Sequence, residues 1–422
     1  MVTVITCAPN HPNGMVYPGY RNRLWQWDER DGIRVLRVKT YLSANRGVRK
    51  RSLNYVSYLL SAVAFCRLVR NVDMVVSTSP QFLCGLSGYF VSRIHRCPWV
   101  VEIRDLWPES IQAVGAVKGR GLVNVLRQVE LFLYRKPDHV ISLTNAFKRH
   151  IVGKGVAPEK ISVVTNGADL EQFEPLPKEN GFRVREKLNG KFIASYVGTH
   201  GMAHGLGTIL HAAKLLENER QIRFLLVGDG AERDRILRQR NEMSLTNVLM
   251  LPQQPKEEMP EILAASDACM VLLRKTDVFK TVIPSKIFEA MAMERPVILG
   301  VEGESREIIE AGRCGIPIEP ENHRELAEAV LALYHDRTLR ETFEKNGRAY
   351  VMENYNRDRL ARDYLDVLSR VSQLNMEGRN GRKGFADRQK GVLAPSPAHI
   401  GIEQLRRIPT RTLRRMEKDR GA

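Results

Sequence analysis

Short apolar runs recur along the chain, and stretches with the apolar spacing of helices separate several of them. The runs lack the strict alternation of a strand that faces water, so they predict strands buried on both faces of a parallel sheet. The first series is Thr3–Thr6, Ile33–Val38, Met74–Ser77, Trp99–Ile103, Val140–Leu143 and Ser162–Val164. The second series is Ile193–Val197, Arg223–Val227, Val248–Leu251, Ala268–Leu272, Val297–Leu299 and Ile316–Ile318. Two such series predict an α/β protein with two doubly wound, Rossmann-like parallel-sheet domains.

A polar stretch that contains Pro175 and Pro177 separates the two series. A long helix follows the second series, and it could pack back on the first domain. The last segment is polar and basic, with twelve Lys or Arg against five Asp or Glu after residue 375, so we expect it to be mostly disordered. The predicted boundaries are 1–170 for the first domain, 171–190 for the linker, 191–354 for the second domain, 355–372 for the helix and 373–422 for the tail.

The segment from Pro284 to Glu289 has the parts of an anion site. Ser285 is a favoured N-cap, and Ile287 opens the helical apolar spacing that follows. A helix N-terminus offers free N–H groups to a phosphate, and Lys286 adds a full positive charge in the first turn. Glu289, one turn further, could hold a ribose diol. The alternative is a capped surface helix whose charges are merely solvated.

Loops at the carboxyl ends of parallel strands are where ligands bind in such sheets. In the second half, Gly198 and Thr199 follow one strand and Gly228 follows the next, where glycine would let a diphosphate approach the backbone. Gln253 ends a third strand, where it could contact a base. Each of these loops could equally be an ordinary strand-to-helix turn, because the glycine pattern is only a fragment of a dinucleotide-binding motif.

In the first half, a buried strand ends at Arg104 and Asp105, followed by a Trp-Pro pair. Asp105 could be catalytic, could bind an acceptor, or could be a structural partner of Arg104. Asn166 ends the last strand of this half, while Asn10 and His11 follow the first. These residues predict an acceptor side that faces the same cleft.

Several kinds of chemistry are excluded by missing motifs. The chain has no Asp-x-Asp pair for a metal–diphosphate complex, and no HExxH, GxSxG or GxxxxGK[ST] motif. Its six cysteines are scattered without a CxxC pair, which is typical of reduced thiols in a cytoplasmic protein. Positive charge at a leaving diphosphate would then come from Lys286, a helix terminus and His204. We therefore expect no metal and no cofactor.

The net charge of +17 favours an anionic partner, either nucleic acid or a membrane surface. Basic residues are not interleaved with aromatic residues, so we expect no nucleic acid. An apolar helix from Leu53 to Cys66 could lie on an anionic bilayer, because four basic residues precede it, namely Arg46, Arg49, Lys50 and Arg51. A buried core helix is the alternative.

Taken together, these motifs resemble those of the retaining glycosyltransferases of the GT-B fold, in the large family 4 of nucleotide-sugar transferases. The chain is most similar to the branch that assembles bacterial O-antigen, capsule and exopolysaccharide, which includes N-acetyl-L-fucosamine transferases. The resemblance covers roughly residues 1–371 and leaves out the tail. It rests on several motifs in the right order, namely APNHPNG, YPGY, EIRDLWPES, VVTNGADLEQF, YVGTHG, LLVGDG and IPSKIFEAMAMERPVI.

The resemblance implies a nucleotide sugar, UDP-linked in our expectation, as donor, and a polyprenyl-diphosphate-linked saccharide as acceptor. It implies an enzyme peripheral to the inner face of the bacterial plasma membrane. The family's ribose-binding glutamate matches Glu289, whereas its first signature glutamate would fall at Thr281 and is absent. Lys286 is our candidate for the family's diphosphate-binding cations, with His204 at the usual lysine position. The residues assigned to donor binding are Gly198, Thr199, His204, Gly228, Gln253, Pro284, Ser285, Lys286, Ile287 and Glu289. Asp105 and Lys286 are the expected catalytic residues.

One departure from the family pattern concerns the first strand. Thr3–Thr6 matches the family's second strand, so the first strand and its Gly-rich loop have no counterpart, which would leave two strand edges unpaired inside a sheet. We expect a start codon placed too late rather than a damaged copy. An epimerase on the same fold and an inactive truncated paralogue are the alternative functions.

Overall fold

The computed structural model describes residues 1–10, 14–43, 48–113 and 120–388. His11 and residues 389–422 of the tail therefore lie outside the described residues. The strands of the first unit are β1 Thr3–Thr6, β2 Trp25–Arg30, β3 Ile33–Val38, β4 Val75–Thr78, β5 Trp99–Ile103, β6 His139–Ser142 and β7 Ile161–Val163. Its helices are α1 Val48–Phe65, α2 Phe82–His95, α3 Glu109–Ala113, α4 Arg120–Arg135 and α5 Asn145–Gly153.

The first unit contains two separate sheets. One has three strands in the order β1-β3-β2, and the other has four parallel strands in the order β4-β5-β6-β7. In the described residues β1 pairs only with β3, and β4 pairs only with β5. Within the described ranges, β1 and β4 therefore each have one edge without a strand partner.

The second unit is built on one parallel sheet of six strands, in the order β10-β9-β8-β11-β12-β13. These strands are β8 Phe192–Val197, β9 Ile222–Val227, β10 Val248–Leu251, β11 Ala268–Leu272, β12 Val297–Gly300 and β13 Gly315–Pro317. The helices around it are α6 Gly181–Arg185, α7 Gly207–Leu215, α8 Arg233–Glu242, α9 Met259–Ala264, α10 Lys286–Ala292, α11 Glu304–Gly312, α12 His323–His335 and α13 Arg337–Asn354. The strand order reverses between β8 and β11, and such a switch point is where doubly wound sheets bind ligands.

The last described helix, α14, runs from Arg357 to Arg388. It therefore continues beyond residue 372, into the segment that we expected to be disordered. Val367 and Val371 of this helix pack on Val100 and Ile141, which belong to the four-stranded sheet of the first unit. Within the part of the chain that the structure describes, no helix is both long enough and apolar enough to span a bilayer.

A buried ion pair ties the linker to the second sheet. Arg183 is 1% exposed, and its Nη2 lies 2.7 Å from Oδ2 of Asp267. The same guanidinium donates through Nε to the Ala265 carbonyl at 2.9 Å. Asp267 also accepts from the Ile193 amide at 2.9 Å and from Lys178 Nζ at 2.9 Å. The linker before β8 is thereby fixed to the end of α9.

We expect Arg183→Leu to lower the free energy of unfolding by about 3 kcal/mol, because it leaves Asp267 buried without its closest cation. Arg185→Leu is the matched control. Its guanidinium is 52% exposed and lies 3.5 Å from Glu258, so its loss should change stability by less than about 1 kcal/mol. Chemical denaturation followed by circular dichroism measures both, and equal effects would contradict the role of the pair.

Candidate functional site

Glycine turns meet at the switch point of the second sheet. Gly198 follows β8 with φ of 136°, and Gly228 follows β9 with φ of 146°. A Cβ on Gly228 would collide with the Gly198 carbonyl oxygen, and one on Gly230 would lie 2.6 Å from the His200 carbonyl oxygen. Side chains are excluded at these positions, so the backbones of the two turns pack directly against each other at the carboxyl ends of β8 and β9.

Lys286 reaches this turn from the first residue of α10. Its Nζ donates to the Tyr196 hydroxyl at 2.9 Å and lies 4.0 Å from the centre of the Tyr196 ring. A Cβ on Gly198 would come within 2.5 Å of Lys286 Cε. The absence of a side chain at Gly198 is therefore what lets the lysine pass.

Within the part of the chain that the structure describes, the ammonium of Lys286 has no anionic partner in direct contact. No carboxylate of the described residues forms an ion pair with it. Burial lowers the pKa of Lys286 to about 8, with the charge of Glu289 acting in the opposite direction. Near neutral pH the group is still mostly cationic, and an incoming anion would restore the stabilisation that burial removes.

The start of α10 differs from the expected cap. Ser285 has helical φ and ψ, and its side chain makes no capping hydrogen bond. The amides of Ile287 and Phe288 donate to the carbonyls of Pro284 and Ser285, at 3.1 and 3.0 Å. Glu289 N also donates to Ser285 O, at 3.4 Å. The expectation of a cluster of free amides after Pro284 is wrong at these three positions, and the positive charge depends chiefly on the Lys286 side chain.

The side chains of Ile287 and Glu289 start from the same turn of α10 but lie in different environments. Ile287 is fully buried in the core, so the side chain of this expected donor-binding residue cannot touch a ligand. Glu289 lines a small cavity together with Lys286, Ser195 and Cys269. Burial raises the pKa of Glu289, and the charges of Arg357, Lys286 and Lys256 partly offset that effect. The carboxylate is therefore placed beside the lysine, as the spacing suggested.

Two histidines flank the lysine, and both are neutral near pH 7. Burial, with the charge of Lys286, lowers the pKa of His204 to about 4. Burial, with Arg233 and Lys286, lowers the pKa of His200 to about 4. His204 therefore does not add the positive charge that we expected of it. Its Nδ1 lies 3.4 Å from the Leu272 carbonyl oxygen, and the centre of its ring lies 5.9 Å from the centre of the Tyr196 ring.

On the acceptor side, Asp105 does not pair with Arg104. Arg104 Nη1 lies 3.7 Å from Glu102, whereas Asp105 Oδ2 accepts from Ser110 Oγ at 3.1 Å. Burial raises the pKa of Asp105, and the Ser110 hydrogen bond lowers it by less. The structural pairing that we considered is wrong, and Asp105 is a partly buried carboxylate at the end of β5.

The two units meet beside the lysine. Asn166 Nδ2 donates to Ser285 Oγ at 3.3 Å, and Thr144 Oγ1 donates to the Thr281 carbonyl at 3.0 Å. The Glu304 carboxylate of α11 accepts from the Asn145 amide at 3.2 Å and from the Ala146 amide at 3.0 Å, so it caps α5 of the other unit. The structure thus brings Asn166, expected on the acceptor side, to the segment that we expected to bind the donor.

Other expected residues lie outside this cluster. Asn10 Nδ2 donates to the Ala8 carbonyl at 2.8 Å, and Gln253 is exposed after β10. Thr199, by contrast, belongs to the cluster through its backbone: the residue is exposed, and its carbonyl accepts from the Tyr196 hydroxyl at 2.8 Å. Sequence reasoning missed Tyr196 and Glu304. Tyr196 gave no signal because it lies within an apolar strand. Glu304 gave none because no local sequence pattern shows that a carboxylate of one domain caps a helix of the other.

Two family models match the chain, one in each half. Residues 1–167 match the family model "Glycosyl transferase 4-like domain", and residues 177–350 match "Glycosyl transferases group 1". The chain is 24% identical to a putative colanic acid biosynthesis glycosyl transferase, WcaI, of Escherichia coli K12, over 82% of this chain and 88% of that protein.

A second relative from Escherichia coli is UDP-Gal:alpha-D-GlcNAc-diphosphoundecaprenol alpha-1,3-galactosyltransferase, 23% identical over 75% of this chain and 82% of that protein. Among solved structures, Anabaena Alr3699/HepE in complex with UDP and glucose superposes with a TM-score of 0.64 at 18% identity, over 79% of this chain and 86% of that one. The fold expected from the sequence, with two Rossmann-like domains, is thereby confirmed.

We expect Gly198→Ala to displace Lys286 from Tyr196, because the new methyl group would occupy the path of the lysine side chain. The rate at which a water-soluble, amine-reactive reagent modifies Lys286, followed by mass spectrometry, should then be several-fold higher than in the wild type. Gly190→Ala is the control, since Gly190 also has positive φ, 66°, but open space around it. An unchanged rate in Gly198→Ala would contradict the steric argument.

Proposed function

Because the chain is a glycosyltransferase of the GT-B superfamily, we propose that it moves a hexosyl or N-acetylhexosaminyl group from a UDP-sugar to a lipid-linked saccharide, with retention of configuration. The observation that carries this proposal is the Lys286 ammonium, which is held at the switch point of the second sheet and has no carboxylate of the described residues in contact with it. A diphosphate is the anion that a nucleotide sugar would bring to such a place. We infer a role in bacterial surface-polysaccharide synthesis from the colanic acid and diphosphoundecaprenol relatives.

In the proposed donor complex, Lys286 binds the diphosphate at the Gly198 turn. Glu289, which lines the neighbouring cavity, accepts the hydroxyl hydrogens of the ribose. The bond between the anomeric carbon and the diphosphate oxygen breaks, and the acceptor oxygen bonds to the same face of the sugar. Negative charge grows on the leaving diphosphate as the bond lengthens, so a fixed cation there lowers the barrier.

The acceptor hydroxyl must lose a proton in this reaction. We place it near Asp105 and Asn166, because both follow strands of the first unit and Asn166 contacts Ser285 across the cleft. The raised pKa of Asp105 makes its carboxylate a better proton acceptor than an exposed aspartate. The chain has no Asp-x-Asp pair, and Lys286 supplies positive charge, so we propose that transfer needs no divalent cation.

We also propose that the first unit contacts an anionic membrane through α1. Leu53, Val56 and Leu60 are 54%, 40% and 64% exposed, and their spacing places them on one face of the helix. Between Asp31 and Glu102 the sequence has one acidic residue, Asp73, against eleven Lys or Arg. The exposed stripe favours the surface helix over the alternative of a buried core helix, and a strongly basic flank with a single acidic residue suits anionic lipid.

We expect Lys286→Met to reduce kcat about 100-fold while the dissociation constant for UDP-sugar rises by less, because the charge matters most when the bond breaks. Transfer from a panel of UDP-sugars to a diphospholipid-linked acceptor measures kcat, and calorimetry measures binding; EDTA should change neither. Lys214→Met is the control, since this lysine pairs with Glu217 on the surface. Wild-type turnover in Lys286→Met would overturn the proposal.

For the membrane surface, the double variant Leu53→Gln and Leu60→Gln should bind vesicles of phosphatidylcholine with phosphatidylglycerol about tenfold or more weakly than the wild type, because two exposed leucines no longer enter the lipid. Leu215→Gln is the control, because Leu215 is 53% exposed but lies in the second unit. Flotation measures the bound fraction. Equal binding of all three proteins would exclude α1 as the contact.

A further inference from the structure

We propose that Tyr196 is a positioning residue that orients the Lys286 ammonium toward the leaving diphosphate without neutralising it. This inference rests on the proposed function, since it assigns a partner to the cation of that site. Tyr196 is fully buried in β8. Its hydroxyl lies 2.9 Å from Lys286 Nζ and 2.8 Å from the Thr199 carbonyl oxygen.

The direction of this hydrogen-bond chain is fixed by chemistry. An ammonium can only donate and a carbonyl can only accept, so the hydroxyl must accept from Lys286 and donate to Thr199. The Thr199 carbonyl belongs to the turn that begins at Gly198, and Gly198 leaves space for the lysine. The chain Lys286–Tyr196–Thr199 therefore sets the position of the cation relative to the glycine turn.

A tyrosine suits this position better than a carboxylate. Burial raises the pKa of Tyr196 well above its ordinary value, so the hydroxyl stays protonated and carries no charge. A buried carboxylate here would form an ion pair with Lys286 and compete with the anionic donor. The hydroxyl dipole orients the ammonium and leaves its full charge for the diphosphate.

The other groups around the lysine do not replace this contact. His200 and His204 follow β8, and both are neutral near pH 7. Glu289, on α10, acts on Lys286 through its charge without a hydrogen bond between them. Asp229 and Arg233, from the loop after β9 and the start of α8, act on His200 with opposite signs. Tyr196 is the hydrogen-bond acceptor that the described residues give to Lys286 Nζ.

The test compares Tyr196→Phe with Lys286→Met and with the control Tyr334→Phe. The control also loses a tyrosine hydroxyl, but the Tyr334 ring packs on Phe192, at the opposite end of β8 from Tyr196. Phenylalanine keeps the ring under the ammonium but removes the acceptor. We expect kcat to fall about tenfold in Tyr196→Phe with little change in KM for the donor. Tyr334→Phe should behave as the wild type.

A second readout needs no turnover. Modification of Lys286 in the ligand-free protein should follow a titration near pH 8 in the wild type. In Tyr196→Phe the midpoint should move to lower pH, because the hydroxyl stabilises the charged form. An unchanged midpoint and kcat, with Lys286→Met inactive, would overturn the positioning role alone. Full activity in Lys286→Met would instead overturn the proposed function.

Discussion

The site depends on one constraint, a buried ammonium that must remain charged and yet unpaired. Lys286 meets it through a hydroxyl and a ring rather than a carboxylate. Gly198 lacks a side chain so that the lysine can pass, and the nearby histidines stay neutral, so His204 does not compete for the anion. An ion pair at this point would be more stable in the free protein and less useful to an anionic ligand.

The same constraint extends to the contact between the two units. The segment from Lys280 to Lys286 ends at the lysine of the site. It also accepts hydrogen bonds from the first unit at Thr281 and Ser285. Glu304 adds a carboxylate at the start of α5, close to this seam. Any movement of one unit against the other must therefore strain or release the segment that carries the cation. The proposed donor and acceptor sides are connected through this segment.

The sequence predicted most parallel strands within one or two residues, because strands buried on both faces are continuous apolar runs. It missed β2, Trp25–Arg30, which is antiparallel, charged and partly exposed. It placed Lys286 and Glu289 side by side correctly, since helical spacing is local. It could not show that Ser285 fails to cap its helix or that burial neutralises His204, because both depend on residues distant in sequence.

Thr281 shows why residue roles cannot be carried over from a fold shared at 18% identity. It stands where the family signature has its first glutamate. In this chain its hydroxyl donates to the Val278 carbonyl at 2.6 Å, and its own carbonyl accepts from Thr144 at 3.0 Å. The hydroxyl and the carbonyl of Thr281 are thus used in local structure and in the contact between the units. In the proposed function, recognition of the transferred sugar therefore rests on other groups around the Lys286 turn. No carboxylate of the described residues pairs with that lysine, so its charge is available to the proposed diphosphate.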